Sequence, residues 1–253
     1  MDAGRDEGFA PLELDQHLVA WGLKRLVKPL PRPANRRLLL LRAFGFQKRT
    51  EQLFDAVGQR WRFHGSVQMI AGTDLAARTI DPGDFVRFLG ARMNEQFITG
   101  ELELQARLSS LDLAPDPDGR YRVNEFFCRD DTWQAALVAL LDVSDAVLMD
   151  LRGFSPNKQG CLFELRQLVE RVPLERVVLV IDSTTDMALL RSTLMSAWEQ
   201  SVTSGAVRAS ASLALVNVVR HSAAEVATLI ALLLGARPLP RSQRADWGAL
   251  TIS

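Results

Sequence analysis

The sequence predicts an α/β protein built on a parallel sheet with helices on both faces. Two observations carry that prediction. Short, near-continuous apolar runs such as RRLLLLRAF, DAVLMDL, RVVLVID and SLALVNVV read as strands buried on both sides. Segments with apolar residues at helical spacing separate them, which is the βαβ order of a parallel sheet.

The elements follow in order. LDQHLVAWGLKRLVKPL, from Leu14 to Leu30, predicts an amphipathic helix with a basic end, stopped by Pro29 and Pro31. RRLLLLRAF is the first central strand, and the helical QKRTEQLFDAVGQRW follows it. GSVQMIAG is a second short strand, opened by Gly65 and closed by Gly72. DPGDFVRFLGARMNEQFI has the entry signals Asp81 and Pro82 and sets Phe85, Phe88, Leu89 and Phe97 on one helical face. The stretch from about residue 99 to 127 breaks the alternation and reads as an inserted helix and hairpin, with a DPDG turn before the strand-like RYRVNEFF. DDTWQAALVALLDV is a helix capped by Asp130 or Asp131. DAVLMDL, RVVLVID and SLALVNVV are three further strands, separated by helices at CLFELRQLVERV and DMALLRSTLMSAWEQ, and AAEVATLIALLL closes the chain. The domain plan is a helical extension over residues 1–36 and an α/β domain over 37–253.

Composition narrows the function classes. With 253 residues, 47% of them hydrophobic and 24% charged, the chain is globular and near the upper size of one domain. Lys+Arg and Asp+Glu both number 30, a balance that leaves no electrostatic footprint for nucleic acid. Cys128 and Cys161 are too few for a disulfide framework, and no Cys/His spacing fits zinc. No metal is expected, and a reducing, cytoplasmic setting is the default. The acidic, polar start MDAGRDEGFAPLELD is not a signal peptide. AAEVATLIALLLGA contains Glu225 and falls short of the roughly 18 apolar residues of a membrane span. Membrane attachment is expected only through an anchor on a longer parent chain.

In a doubly wound sheet, ligands sit outside the carboxyl ends of the strands, near the reversal of strand order. That places Arg42, Phe44, Asp150, Arg152 and Asp182 on the functional rim. The stretch DLRGFSPNKQGCLFEL, from Asp150 to Leu165, supplies a polar loop with Ser155 and Asn157 and then a helix carrying Glu164. Glu164 has two readings: a carboxylate facing the strand end, where it would meet a ribose or an oxocarbenium-like centre, or a solvated acid favoured by the helix dipole. Arg42 and Arg152 likewise either clamp an anion together or pair with Asp150 or Glu164. Asp182, followed by SerThrThr, reads as a turn cap. No glycine fingerprint follows the first strand, which argues against a dinucleotide held by a Gly-rich turn. APDPDGRYRVNE approaches a calcium loop, with Asp116, Asp118, Gly119 and Glu125 in step, but Ala114 cannot ligate at its first position. Trp133 reads as packing, or as an aromatic near the rim able to stack on a base. Cys161 has no His near it in sequence to serve as a base.

The order DDTW, SDAVLMDLRGFSPNKQGCLFELRQL and RVVLVID, after an opening LRAF strand, resembles the TIR-like (Toll/interleukin receptor homology) group, in particular a bacterial, often membrane-anchored branch. The resemblance spans Arg37 to about Leu234. It implies a flavodoxin-like three-layer sandwich of about five parallel strands in order 2-1-3-4-5. It also implies cleavage of the nicotinamide–ribose bond of NAD by a glutamate on the helix after the third strand, the place of Glu164. The related nucleoside deoxyribosyltransferases share the pattern of an Asp-ended strand, a Gly-containing loop and a helical Glu. On this resemblance Glu164 is the catalytic residue. Asp150, Arg152, Ser155 and Asn157 line one wall, Arg42 and Phe44 the other, and Trp133 borders the site. NAD enters as substrate, there is no resident cofactor, and a homo-oligomer is implied. The competing implication is a non-catalytic signalling module that uses the same fold for self-association. The chain departs from the family in its longer DLRGFSPNKQG loop, in lacking a Ser-x-Trp pattern beside it, and in the segment near 99–127.

Overall fold

The computed structural model describes residues 12–18, 35–42, 48–71, 97–203 and 211–235. Among them eight strands form one sheet: β1 (Leu12–Leu18), β2 (Leu38–Arg42), β3 (Val67–Ala71), β4 (Phe97–Ile98), β5 (Val123–Cys128), β6 (Ala146–Asp150), β7 (Val177–Ile181) and β8 (Ala211–Asn217). Their order is β1-β8-β7-β6-β2-β3-β5-β4, and every pair is parallel. The central five, β3-β2-β6-β7-β8, are the second, first, third, fourth and fifth of their set along the chain. That is the flavodoxin-like 2-1-3-4-5 order, widened by three further strands at the edges.

Among the described residues six α-helices cover the sheet: α1 (Lys48–Trp61), α2 (Glu101–Ser109), α3 (Trp133–Val143), α4 (Gln159–Arg171), α5 (Met187–Thr203) and α6 (Ala223–Leu233). The four leucines of β2 show how the two faces divide. Leu39 and Leu41 belong to a core shared with α3, α4 and α5, whereas Leu38 and Leu40 belong to one shared with α1 and α6. A strand buried on both faces needs no polar alternation, which is why RRLLLLR reads as an unbroken apolar run. Among the described residues no helix is long and apolar enough to cross a membrane.

Three expectations need correction. The helix expected from Leu14 does not form at its start, because Leu12–Leu18 is a strand in register with Ala211–Asn217 of β8. LELDQHL places Leu12, Leu14 and Leu18 two or four residues apart, a period-2 pattern that fits the open edge of β8. The segment near 99–127 holds the expected helix, α2, but no hairpin. RYRVNEFF becomes β5, parallel to both β3 and β4, and so extends the sheet instead of folding back on itself. The cap of α3 is Thr132, not Asp130 or Asp131, and its hydroxyl donates to the Ile98 carbonyl at 2.8 Å. The helix expected from Asp81 falls outside the described residues except for Phe97–Ile98, which form β4.

The DPDG turn forms as expected. The Gly119 amide donates to the Asp116 carbonyl at 2.8 Å, with Gly119 at φ +79°. Arg122 pairs with Asp116 at 3.0 Å and with Asp112 at 3.3 Å, so these carboxylates already hold a cation of the chain's own. Among the described residues no cluster of His, Cys, Asp or Glu could hold a metal.

Gly65 fixes where β2 enters the sheet. The Arg36 amide donates to the His64 carbonyl at 3.1 Å, which brings the two backbones so close that a Cβ on Gly65 would lie 1.7 Å from the Arg36 carbonyl oxygen. Backbone cannot yield as a side-chain tip can. Gly65→Ala should therefore cost about 2–4 kcal/mol, at or beyond the usual range for overpacking, measured as a fall in the urea midpoint at unchanged m-value.

Candidate functional site

β2 and β6 are adjacent, with Arg42 in register with Asp150. The chain leaves β2 for α1 on one face and β6 for α4 on the other, so the crevice at their carboxyl ends is the reversal point of this doubly wound sheet.

Asp150 and Arg152 stand at the centre of that rim, and both side chains are 1% exposed. Arg152 donates to Asp150 Oδ1 through Nε at 2.8 Å and to Oδ2 through Nη2 at 2.6 Å. Thr50 Oγ1 adds a third bond to Oδ2 at 2.7 Å. Arg152 Nη2 also reaches the Arg49 carbonyl at 3.1 Å, and its Nη1 donates to His221 Nε2. Burial, with the Arg152 and Arg49 charges beside it, pushes the His221 imidazole below its ordinary range, which suits a neutral ring accepting that bond. Arg152 is thus spent inside the protein. Of the two readings of the arginines, the structure forms the Asp150 pair and not an anion clamp of Arg42 with Arg152.

The loop after β6 is pinned by its own bonds. Gly153, at φ +75°, donates its amide to Thr184 Oγ1 at 2.9 Å, and Phe154 is fully buried. Asp182 caps the neighbouring turn as expected: Oδ1 accepts the Thr184 amide at 2.9 Å, and Oδ2 takes Arg49 at 2.9 Å. Those hydrogen bonds outweigh burial and hold its carboxyl below the usual range.

Glu164 lies elsewhere in the crevice. α4 buries Cys161, Glu164, Leu165, Leu168 and Val169, so the acid occupies a position on the apolar stripe. It is 4% exposed, its Oε2 has no hydrogen-bond partner, and it lies beyond the first turn of the helix. The solvated-acid reading therefore fails. Burial pushes its carboxyl up to about 8, against the opposing charge of Arg42. The acid faces a cavity of about 100 Å³, bordered among others by Arg42, Cys128, Arg129, Asp130 and Trp133. Trp133 meets Phe163 edge-on, with ring centroids 5.5 Å apart. A second cavity of about 450 Å³ lies on the α1 side, over Leu40, Met69 and Glu125 and beside Thr50, Asp55 and Arg62, and it shares Leu40 and Arg42 with the first. Only the second has the volume usual for a whole small-molecule ligand.

Of the residues expected at the site, Glu164, Arg42 and Trp133 come together. Asp150 and Arg152 form the buried pair beside them. Ser155, half-buried, and Asn157, exposed, do not border the Glu164 cavity. Phe44 lies outside the described residues. Glu125, expected only as the last position of a calcium-like loop, is the residue that sequence reasoning missed. Burial raises its carboxyl, and Arg42 opposes that rise too. Burial likewise pushes the Cys128 thiol up to about 12, so it is no thiolate nucleophile at neutral pH.

Fold and rim together define a flavodoxin-like, doubly wound α/β protein with a buried acid at its switch point. No protein-family model, curated protein or solved structure matches the chain.

Two outcomes follow from these charges. Arg152→Met strands a buried carboxylate and should cost about 3–5 kcal/mol, with part recovered by adding Asp150→Asn; a stability unchanged in urea would mean that Arg152 is free. At Glu164 the unfolded chain loses its proton near 4.5, whereas the folded protein keeps it to about 8. The stability tied to that proton is complete below the lower value and is lost as the pH rises through the upper one. Glu164→Gln should therefore be increasingly more stable than wild type from pH 5 to 8. The gap should level off above pH 8 at a ceiling on the order of 5 kcal/mol, read from denaturation midpoints across pH.

Proposed function

We propose that this chain is a TIR-like nucleotide-binding domain in which Glu164 cleaves the N-glycosidic bond of NAD or a related nucleotide. The observation that carries this reading is the unpartnered Oε2 of Glu164, buried in a cavity beside Arg42 and Trp133 at the switch point of the sheet. A buried carboxyl with an unmade hydrogen bond costs stability, and such groups concentrate at functional sites.

The raised carboxyl fits a cationic substrate. Free, Glu164 is largely protonated at pH 7. A nicotinamide ring bonded to ribose carries a positive charge, which would favour the carboxylate once bound. As the C1′–N bond breaks, its electron pair passes to the ring nitrogen and neutralises the nicotinamide. The carboxylate then faces the positive charge left on C1′, the differential stabilisation that catalysis requires. Water adds to C1′ and releases a proton. Trp133 offers an aromatic surface at the cavity wall, and Arg42 a cation able to orient the acid or a phosphate.

The test is nicotinamide release from NAD by concentrated protein, since assembly is expected to activate the domain. Release should be lost in Glu164→Gln. In wild type, kcat/KM should rise with pH and level off near 8, as the free protein's carboxylate forms. No release at any protein concentration, with self-association unaffected by Glu164→Gln, would instead assign a non-catalytic self-association module.

A further inference from the structure

Arg42 borders both cavities, the one that holds Glu164 and the one that holds Glu125. The two acids approach it from opposite faces of the sheet. Leu40 is in register with Met69, and Met69 with Glu125, so Glu125 projects from the face covered by α1. Glu164 comes from α4, on the other face. Arg42 ends its strand and can reach around the edge between them. Among the described residues its guanidinium has no hydrogen-bond partner and no ion pair within 4 Å, whereas that of Arg152, next to it in the rim, is fully engaged.

We propose that Glu125 is a positioning residue for Glu164, acting through competition for the Arg42 guanidinium around the carboxyl edge of the sheet. The inference rests on the reading of Glu164 as the functional acid and adds the group that sets its charge. When Glu125 is ionised it draws Arg42 toward the α1 side and weakens the support for a Glu164 carboxylate. When Glu125 is neutralised, by a proton or by a cation of a ligand in the larger cavity, Arg42 turns to Glu164 and favours its ionised form. Occupancy of one cavity thereby tunes the acid in the other. Other charges face the two acids: Glu51 and Asp55 from α1 and Arg62 just beyond it on the Glu125 side, and Arg129 and Asp130 after β5 on the Glu164 side. None of these borders both cavities, which singles out Arg42 as the link.

The test is a carbon-13 NMR titration of the glutamate side-chain carboxyl groups in the full chain, with the Glu164 signal assigned by its loss in Glu164→Gln. In Glu125→Gln the Glu164 midpoint should move to lower pH by about half a unit or more. In an Arg42→Gln background, or in Arg42→Met should the first not fold, the same Glu125 change should have much less effect. An unmoved Glu164 midpoint in Glu125→Gln overturns the proposal. So does an equal shift with and without Arg42, since that would be direct repulsion between the two acids. The titration needs no turnover. A shift without NAD cleavage would retain the competition and remove the glycosidase, and cleavage without a shift would do the reverse.

Discussion

A fully buried ion pair holds the switch point of this fold together. Asp150 and Arg152 are two residues apart at the end of β6, both side chains 1% exposed and joined through two guanidinium nitrogens. Taking two such charges out of water is costly, and the cost is met only if nearly every donor and acceptor is used. Here they are used: Thr50 at the start of α1, the Arg49 carbonyl and His221 before α6 all bond to the pair. The pair therefore ties α1, β6 and the loop after β8 to a single point. Its self-sufficiency also withdraws Asp150 and Arg152 from ligand chemistry. Among the described rim residues, Glu164 and Arg42 keep unmet electrostatics.

Most of the central sheet was legible because strands buried on both faces are met by unbroken apolar runs. LLLLR, AVLMD and VVLVI could be read directly, and their order gave the rim on which Arg42 and Asp150 meet in register. Edge strands were not legible in this way. LELDQHL carries too few apolar residues to separate strand from helix, and it becomes β1 only because β8 offers it an open edge. RYRVNEFF read correctly as a strand, but its direction depends on β3 needing a partner, a tertiary fact with no local signal.

The site divides along the same line. That Glu164 lies on the helix after the strand-ending Asp150 could be read from the sequence, but its spacing left a site acid and a solvated acid both open, and only the resemblance proposed it as catalytic. The choice between Arg152 as clamp and Arg152 as Asp150's partner was not legible, since it depends on which donors the fold brings within 3 Å. Glu125 carried no signal as a site residue because it acts across β3 on Arg42, more than 80 positions earlier in the chain. One pattern was present and went unused. SAAE at Ser222–Glu225 is a capping box: Ser222 Oγ accepts the Glu225 amide at 3.3 Å, and Glu225 accepts the Ser222 amide at 2.6 Å. It explains why Glu225, though buried, is held below the usual carboxylate range by backbone amides.

Glu225 and Glu164 make an instructive contrast, because both are buried acids on amphipathic helices. Glu225 sits in the first turn of α6, accepts three backbone amides and needs no further partner. Its burial is explained entirely by the helix it starts. Glu164 lies past the first turn of α4, next to Leu165 and one turn before Leu168, with one carboxyl oxygen unbonded. A leucine there would extend the apolar stripe at no electrostatic cost, and hydrophobic replacements of buried charged groups are often neutral or stabilising. Packing therefore gives no reason for an acid at this position. The two features that distinguish it are a cavity in front and a cation at the edge, and both concern what the carboxyl can meet or become, not what it holds together. This difference, more than burial or a raised carboxyl alone, is what the proposed role of Glu164 rests on, whereas Glu225 is structural.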